Sequence, residues 1–303
     1  MSKIIAIVVT YNRKQLLLEN INALLKQNYK NFDILIVDNA STDGTKEEIS
    51  EFINDGKIKY INTGKNLGGA GGFSFGINEA LVNNYDFAWL MDDDTIPAEN
   101  ALKSLINKSK LIDNKFSFLG SLVKWTDGTL CIMNIQRLLK KWAPYYDKLQ
   151  YKLVPISSSS FVSMFINLKV AKKVGLPFSK FFIYGDDWEY SERLRTIEPG
   201  YLDCDSIVIH KMSSNQGTDV VNIDLNRVSR YYYNYRNLFY IYKHYYGFVG
   251  VIKYILIFIL TFFKIIFKAK DNRLKRIWYT TKGFFVGIFF NPKVEYANSK
   301  ERA

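Results

Sequence analysis

The stretch Phe87-Ala88-Trp89-Leu90-Met91-Asp92-Asp93-Asp94-Thr95-Ile96-Pro97 decides the architecture. Five apolar residues run without a polar break into three consecutive carboxylates. A short continuous apolar run of this kind predicts a strand buried on both faces, as in parallel sheets. Pro97 predicts the first turn of a helix, where a missing N–H costs nothing. Along an extended segment residues i and i+2 share a face, so Asp92 and Asp94 are expected to point one way and Asp93 the other. Two carboxylates about 6–7 Å apart along a strand repel unless a cation lies between them. Hard oxygen donors suit Mg2+ or Mn2+, ions that also bind diphosphates. The competing reading is a solvated acidic turn, which fits poorly between a buried strand and a helix start.

Upstream, apolar strands alternate with amphipathic helices. Residues 4–9 (IIAIVV) predict a first buried strand. Asn12 is placed to cap the following helix, with Leu16, Leu17, Ile21, Leu24 and Leu25 on one face. Residues 32–37 (FDILIV) predict a second strand ending at Asp38, and Ser41, Thr42 and Asp43 lead into a short helix near 45–52. Residues 58–61 predict a third strand, and glycines 68–72 open a helix through Leu81. Such alternation implies an α/β fold with a mostly parallel sheet flanked by helices. Polar residues gather at the carboxyl ends of the strands: Thr10, Tyr11, Asn12 and Arg13; Asp38 and Asn39; Asp92 to Asp94. That edge is where open α/β sheets bind ligands. Asn and Asp are also good turn residues, so each site alone is ambiguous.

The segment Asn66-Leu67-Gly68-Gly69-Ala70-Gly71-Gly72-Phe73 fails the dinucleotide-loop pattern, because Ser74 stands where the last glycine belongs, and it contains no Walker sequence. Four glycines in five residues exceed what a turn requires. They predict backbone N–H groups open to a ligand, with close helix–sheet packing as the alternative. A second acidic group lies in FFIYGDDWEY (181–190), just before a helical-looking 191–195. A carboxylate entering from apolar surroundings gains proton affinity, as a general base requires. Acids favoured at a helix N-terminus are the plain alternative. His210 ends a β-branched run, a plausible further metal ligand; His244 sits in an aromatic stretch and is assigned to an interfacial face.

Composition limits the classes. The chain has 303 residues, 48% of them hydrophobic and 23% charged, which suits a folded globular protein. Two cysteines exclude a disulfide framework and a four-cysteine zinc site. The apolar run at the start is too short for a signal-peptide core, so a cytoplasmic location is expected. Residues 1–226 hold equal numbers of basic and acidic side chains, and the whole excess of +12 lies in 227–303. That region interleaves tyrosines with Arg230, Arg236 and Lys243, continues as FVGVIKYILIFILTFFKIIF (248–267), and adds Lys268, Lys270, Arg273, Lys275 and Arg276 before a second aromatic segment at 278–290. The longest uncharged run is 254–263, and a membrane-spanning helix needs about 20 apolar residues. Apolar aromatic helices with dense Lys and Arg suit a membrane surface. Packing on the catalytic domain or on a second copy of the chain is the main alternative; nucleic-acid binding is not expected. The expected division is a catalytic domain at 1–226 and a helical membrane-association or oligomerisation region at 227–303.

VVTYNR (8–13), IVDNAS (36–41), residues 66–73, WLMDDD (89–94), FFIYGDDWEY and the histidine at a strand end stand in one order. Together they resemble the inverting GT-A-type glycosyltransferases of family 2, over roughly residues 3–240. NLGGAGGF with MDDD most resembles the bacterial galactofuranosyltransferases. The resemblance implies a GT-A fold and a nucleotide-sugar donor pocket lined by Thr10, Asn12, Arg13, Asp38, Asn66 and Gly69, with Asp93 close to the donor. It implies Mn2+ or Mg2+ held by Asp92, Asp94 and His210, Asp187 as catalytic base, and Asp186 and Trp188 at the acceptor. It further implies transfer of galactofuranose from UDP-galactofuranose to a glycan, often lipid-linked, in cell-surface polysaccharide synthesis.

Transfer of rhamnose from dTDP-rhamnose is the nearest alternative. A sugar nucleotidyltransferase would carry a glycine-rich loop with Arg and Lys at the first strand, where this chain has Thr10-Tyr11-Asn12-Arg13. A non-enzymatic lipid-surface protein accounts for the basic region but not for three polar sites along one edge.

Overall fold

The computed structural model describes residues 2–217 and 219–298. The strands are β1 (Ile4–Thr10), β2 (Asp33–Asp38), β3 (Lys59–Asn62), β4 (Phe87–Asp92), β5 (Thr95–Pro97), β6 (Phe118–Lys124), β7 (Arg137–Leu138), β8 (Leu153–Ser158), β9 (Met164–Asn167) and β10 (Gly200–His210). The helices are α1 (Lys14–Leu25), α2 (Thr45–Glu48), α3 (Ser50–Asn54), α4 (Gly68–Val82), α5 (Ala101–Leu111), α6 (Leu168–Val174), α7 (Asp186–Leu194), α8 (Tyr231–Lys268) and α9 (Arg273–Phe289). The strand order is β3-β2-β1-β4-β9-β6-β10-β8-β7, with β5 paired to β10.

The first four strands in that order are parallel. Beyond β4 the sheet becomes mixed: β9 runs antiparallel to β4 and β6, while β6 and β10 are parallel. The apolar runs explain the parallel half. All seven residues of β1 are buried, because α1 covers one face with Leu17, Ile21 and Leu24 and α4 covers the other with Phe73 and Ile77. In register, Thr10 lies beside Asp38 and Val9 beside Asp92, so the polar strand ends share one edge.

Two local expectations change. Pro97 does not begin a helix. It closes β5, antiparallel to β10, and α5 starts at Ala101. A proline on this short strand needs no ladder N–H. Asn12 does not cap α1. Its backbone takes φ +54°, its side-chain oxygen accepts from the Thr42 N–H at 2.7 Å, and its own N–H donates to Ser41. It ties the loop after β1 to the loop after β2.

The glycines of α4 serve mainly packing, contrary to the ligand-approach reading for three of the four. A Cβ on Gly72 would lie 2.5 Å from Val9, one on Gly71 2.5 Å from Leu67, and one on Gly68 2.1 Å from the Phe182 carbonyl. Gly69 alone of the four faces open space.

The basic region folds as a helical hairpin. Gly247, at φ 56° and ψ −144°, breaks α8 into arms 231–246 and 248–268, a conformation reserved for glycine. The arms and α9 enclose an aromatic core of Tyr235, Phe239, Tyr254 and Phe284. After α9 the chain returns across the sheet domain, where the Leu176 N–H donates to the Glu295 carbonyl and Asn78 exchanges two hydrogen bonds with the Asn298 backbone. Val228–Lys268 is long and apolar enough to cross a membrane by length and composition, and little of its most apolar window is buried.

Candidate active site

β4 ends at Asp92, and the chain turns through Asp93 and Asp94 into β5. The turn, rather than strand alternation, sets the three directions. Asp93 turns toward β1: its Oδ2 accepts from Thr10 Oγ1 at 2.8 Å and its Oδ1 lies 3.3 Å from Arg13. Asp94 also pairs with Arg13, at 2.5 Å. Asp92, Asp94 and His210 gather with one potential ligand atom each, all within 4.8 Å of one another. β10 delivers His210 because it pairs with Thr95, the residue after the triplet.

The electrostatics show crowded, poorly solvated acids. Burial pushes Asp92 up to about 7, with the Asp94 charge adding to it. Burial likewise raises Asp93 to about 6, partly offset by Arg13. Asp94 is lowered despite burial, because His210 and Arg13 stabilise its anion. Burial opposes a charge on His210, yet the Asp94 carboxylate and neighbouring groups outweigh it and raise the imidazole to about 10.

These residues fit a divalent cation. Asp94 Oδ1 is buried and faces His210 Nε2 at 3.0 Å. His210 Nδ1 lies 2.8 Å from Asn134 Oδ1, an acceptor, which assigns the Nδ1 proton. With Nε2 deprotonated, as coordination requires, His210 aims that lone pair at a carboxylate. That is repulsive unless a proton or a cation stands between them. Two carboxylates and an imidazole suit Mn2+ and accommodate Mg2+.

The neighbouring loops hold the remaining donor-side residues. Asp38 is buried, accepting from the Ser41 N–H at 2.8 Å and the Tyr60 hydroxyl at 2.6 Å. Burial and that carboxylate push Tyr60 up to about 12. Exposed Asn66 accepts from the Gly68 N–H at 2.8 Å and so shapes the start of α4.

Asp186 and Asp187 occupy the first turn of α7, after Gly185 at φ 79°. Asp187 is half-buried; burial raises it to about 6, while the Trp188 N–H, 2.7 Å from Oδ1, and Arg137 pull it back. Asp186 is buried and raised well above the usual carboxylate range by that burial and by Asp187, with Asp92 close enough to contribute. The α7 start thus lies within electrostatic reach of Asp92 at the β4 end. Trp188 turns away from open solvent. Arg137 lies over one side of its ring at 3.5 Å, and Tyr242 of α8 meets it edge-on. His244 stacks on Tyr240 within the hairpin base.

Four contributors gave no usable sequence signal. Arg137 sits on a two-residue strand, too short to recognise. Asn134 and buried Cys131 brace His210 from an irregular loop. Tyr60 looked like an ordinary strand residue.

The profile described as Glycosyl transferase family 2 matches residues 5–169. Galactofuranosyltransferase GlfT1 of Mycolicibacterium smegmatis is 27% identical over 198 residues, 62% of this chain and 64% of that relative's length. Among solved structures, S. aureus TarS superposes with a TM-score of 0.55 at 16% identity, covering 95% of this chain and 44% of that one. GalNAc-T7 with UDP, GalNAc and Mn2+ gives 0.59 at 15% identity, covering 80% of this chain and 52% of that one. The structural likenesses establish a GT-A-type fold. With more than half of its length matched by the family profile, the chain belongs to glycosyl transferase family 2.

Proposed function

We propose that this chain is an inverting galactofuranosyltransferase, moving galactofuranose from UDP-galactofuranose to a lipid-linked glycan at the cytoplasmic face of a membrane. The observation that carries the reading is that the acidic start of α7 lies within electrostatic reach of the acidic end of β4. Asp187, raised toward neutrality, stands on a helix start whose Asp186 senses Asp92 of the Asp92–Asp94–His210 group. Similarity to GlfT1 favours galactofuranose over rhamnose.

Thr10, Asn12, Arg13, Asp38, Asn66 and Gly69 form the donor side, with Asp93 near the sugar. Arg13, now paired with Asp93 and Asp94, is placed to meet the negative charge of a diphosphate. Asp92, Asp94 and His210 would hold Mn2+ or Mg2+, which would supply Lewis-acid stabilisation to a departing diphosphate. Asp187 removes the acceptor hydroxyl proton as that oxygen attacks the anomeric carbon opposite the leaving group, and one displacement inverts the centre. General-base assistance of this kind contributes about 10²–10⁴-fold. Asp186 and Trp188 flank the acceptor side, with Arg137 the exposed cation beside them.

Catalysis is assigned to 1–226 and lipid association to 227–303. Phe248, Val249, Leu256, Leu260, Phe263 and Phe267 expose apolar side chains along one face of the second arm of α8. Lys253 and Lys264, three helical turns apart, lie along one edge of that face, where their stems bury and their charges reach headgroups.

The test is nucleoside diphosphate release by the full chain with UDP-galactofuranose or dTDP-rhamnose, with and without Mn2+, over a lipid-linked acceptor. Metal-dependent release of UDP is expected. Preference for dTDP-rhamnose, or undiminished turnover in EDTA, overturns the donor or the metal assignment respectively.

A further inference from the structure

We infer that Asn237, on the first arm of α8, is a positioning residue for Asp187, so that the helical hairpin is a working part of the active site as well as a membrane surface. The inference rests on the base reading of Asp187.

The loop that delivers Asp187 has an unusual backbone. Phe182 takes φ 63° and ψ −57°, with the Ile183 N–H donating to the Phe181 carbonyl at 2.7 Å. That is the rare form of γ-turn, which is strained for a side-chain-bearing residue. Tyr184 follows at φ 69° and Gly185 at φ 79°. Two bulky residues in the left-handed region within three positions persist only where their surroundings over-determine them.

Those surroundings come from two sides. On one side the Phe182 carbonyl accepts from the Ala70 N–H at 3.2 Å and presses on Gly68, where no Cβ fits. On the other side stands Asn237, fully buried. Its amide nitrogen donates to the carbonyls of Phe181, Ile183 and Tyr184 at 3.0, 3.1 and 2.8 Å. Its oxygen accepts from Arg236 Nε and Nη2 at 3.0 and 2.8 Å, and Nη2 also donates to the Lys180 carbonyl at 2.6 Å. One amide thus gathers carbonyls on both sides of the strained turn. Ile241, one turn along α8, packs its Cδ1 against the place a Gly185 Cβ would occupy, at 3.1 Å.

The consequence is geometric. Without the Asn237 donors, three carbonyls lose a shared partner in a buried setting, and Phe182 and Tyr184 relax toward ordinary backbone angles. Asp187 lies three residues after Tyr184 at the start of α7, so its carboxylate moves with that relaxation. On the donor side, Thr10, Arg13, Asp38 and Asp93 belong to β1, β2 and β4 or their ends and do not move with it; Asn66 and Gly69 alone adjoin the turn, through the start of α4.

Asn237→Ala in the full chain tests this, alongside Asp187→Asn and Phe284→Ala. Phe284 lies in the hairpin's aromatic core away from the loop, so its truncation loosens the hairpin alone. Asn237→Ala is expected to lower kcat for transfer at least tenfold, with the KM for the nucleotide sugar and the Kd for UDP within twofold of wild type. Phe284→Ala is expected to lower Tm with kcat per folded molecule unchanged. Wild-type kcat in Asn237→Ala, with Asp187→Asn inactive, overturns the positioning role and leaves the base reading standing. Full activity of Asp187→Asn overturns the base reading itself. Equal kcat losses in Asn237→Ala and Phe284→Ala reduce Asn237 to a general stabiliser and overturn the proposal. If Asn237→Ala fails to fold, Asn237→Ser, which keeps a single donor, carries the same comparison.

Discussion

The Arg137 guanidinium lies 3.5 Å from the centre of the Trp188 ring and acts on the neighbouring Asp187 carboxylate as an opposing charge. Burial alone drives Asp187 upward; the Trp188 N–H and Arg137 restrain it near 6. A base works only when deprotonated. Transfer should therefore be flat above about pH 7 and fall about tenfold per unit as pH drops below 6. Arg137→Ala removes one of the restraints, so the acidic limb should move to higher pH while the alkaline plateau persists. A pH profile of kcat/KM for both proteins checks this, and an unmoved limb separates Arg137 from the base.

Asp187→Asn keeps the side chain's size and its oxygen partner for the Trp188 N–H but cannot accept the acceptor's proton. Transfer should fall by about 10²–10⁴-fold, while UDP binding, measured by calorimetry with Mn2+, stays near wild type. Loss of both together would place Asp187 on the donor side.

His210, raised to about 10, is protonated at neutral pH in the metal-free protein. Coordination needs its Nε2 lone pair, so metal binding must release that proton. Asp92, near 7, adds a fraction of another. Calorimetry of Mn2+ binding at pH 7 in two buffers of different ionisation enthalpy should show at least one proton released. Affinity should weaken as pH falls. His210→Gln should weaken Mn2+ binding and largely remove the proton release; an unchanged titration removes His210 from the shell.

The parallel half of the sheet was legible because its strands are unbroken apolar runs, a signal independent of the rest of the fold. The edge where Thr10, Asp38 and Asp92 meet followed from the same runs, since each strand's polar end marks its register. What could not be read depended on partners distant in sequence. Pro97 looked like a helix start because only β10, more than a hundred residues later, makes it a strand. Asn12 looked like a cap until Thr42 appeared across the loop. Arg137 and Asn237 carry no local pattern; each acquires a role from the element packed against it.

The α4 glycines separate packing from ligand approach. Gly72→Ala forces a Cβ to 2.5 Å from Val9 and should cost roughly 1–3 kcal/mol in denaturant unfolding, with UDP affinity per folded molecule unchanged. Gly69→Ala meets open space within a helix and should be neutral or stabilising by roughly 0.5–1 kcal/mol. If donor backbone approaches there, the same substitution should weaken UDP binding. Unaltered UDP affinity in Gly69→Ala removes it from the donor pocket.

The exposed face of the second arm of α8 carries Phe248, Leu256, Leu260 and Phe267, each more than half exposed, with Lys253 and Lys264 along its edge. None of the four belongs to the aromatic core that closes the hairpin. Replacing all four with serine should leave the fold standing, because each loses contact with solvent rather than with protein. Burial of these side chains in a bilayer interface is worth roughly 25 cal/mol per Å2 of apolar surface, enough to make binding depend on them. The full chain should float with vesicles containing anionic lipid, less with neutral ones, and the fourfold serine variant should stay at the bottom of the gradient. Its kcat on a short water-soluble acceptor should match wild type, since Asn237 and the first arm are untouched. Equal flotation of both proteins rejects this face as the lipid contact, and a shift from dimer to monomer in the variant assigns it to a second copy of the chain instead.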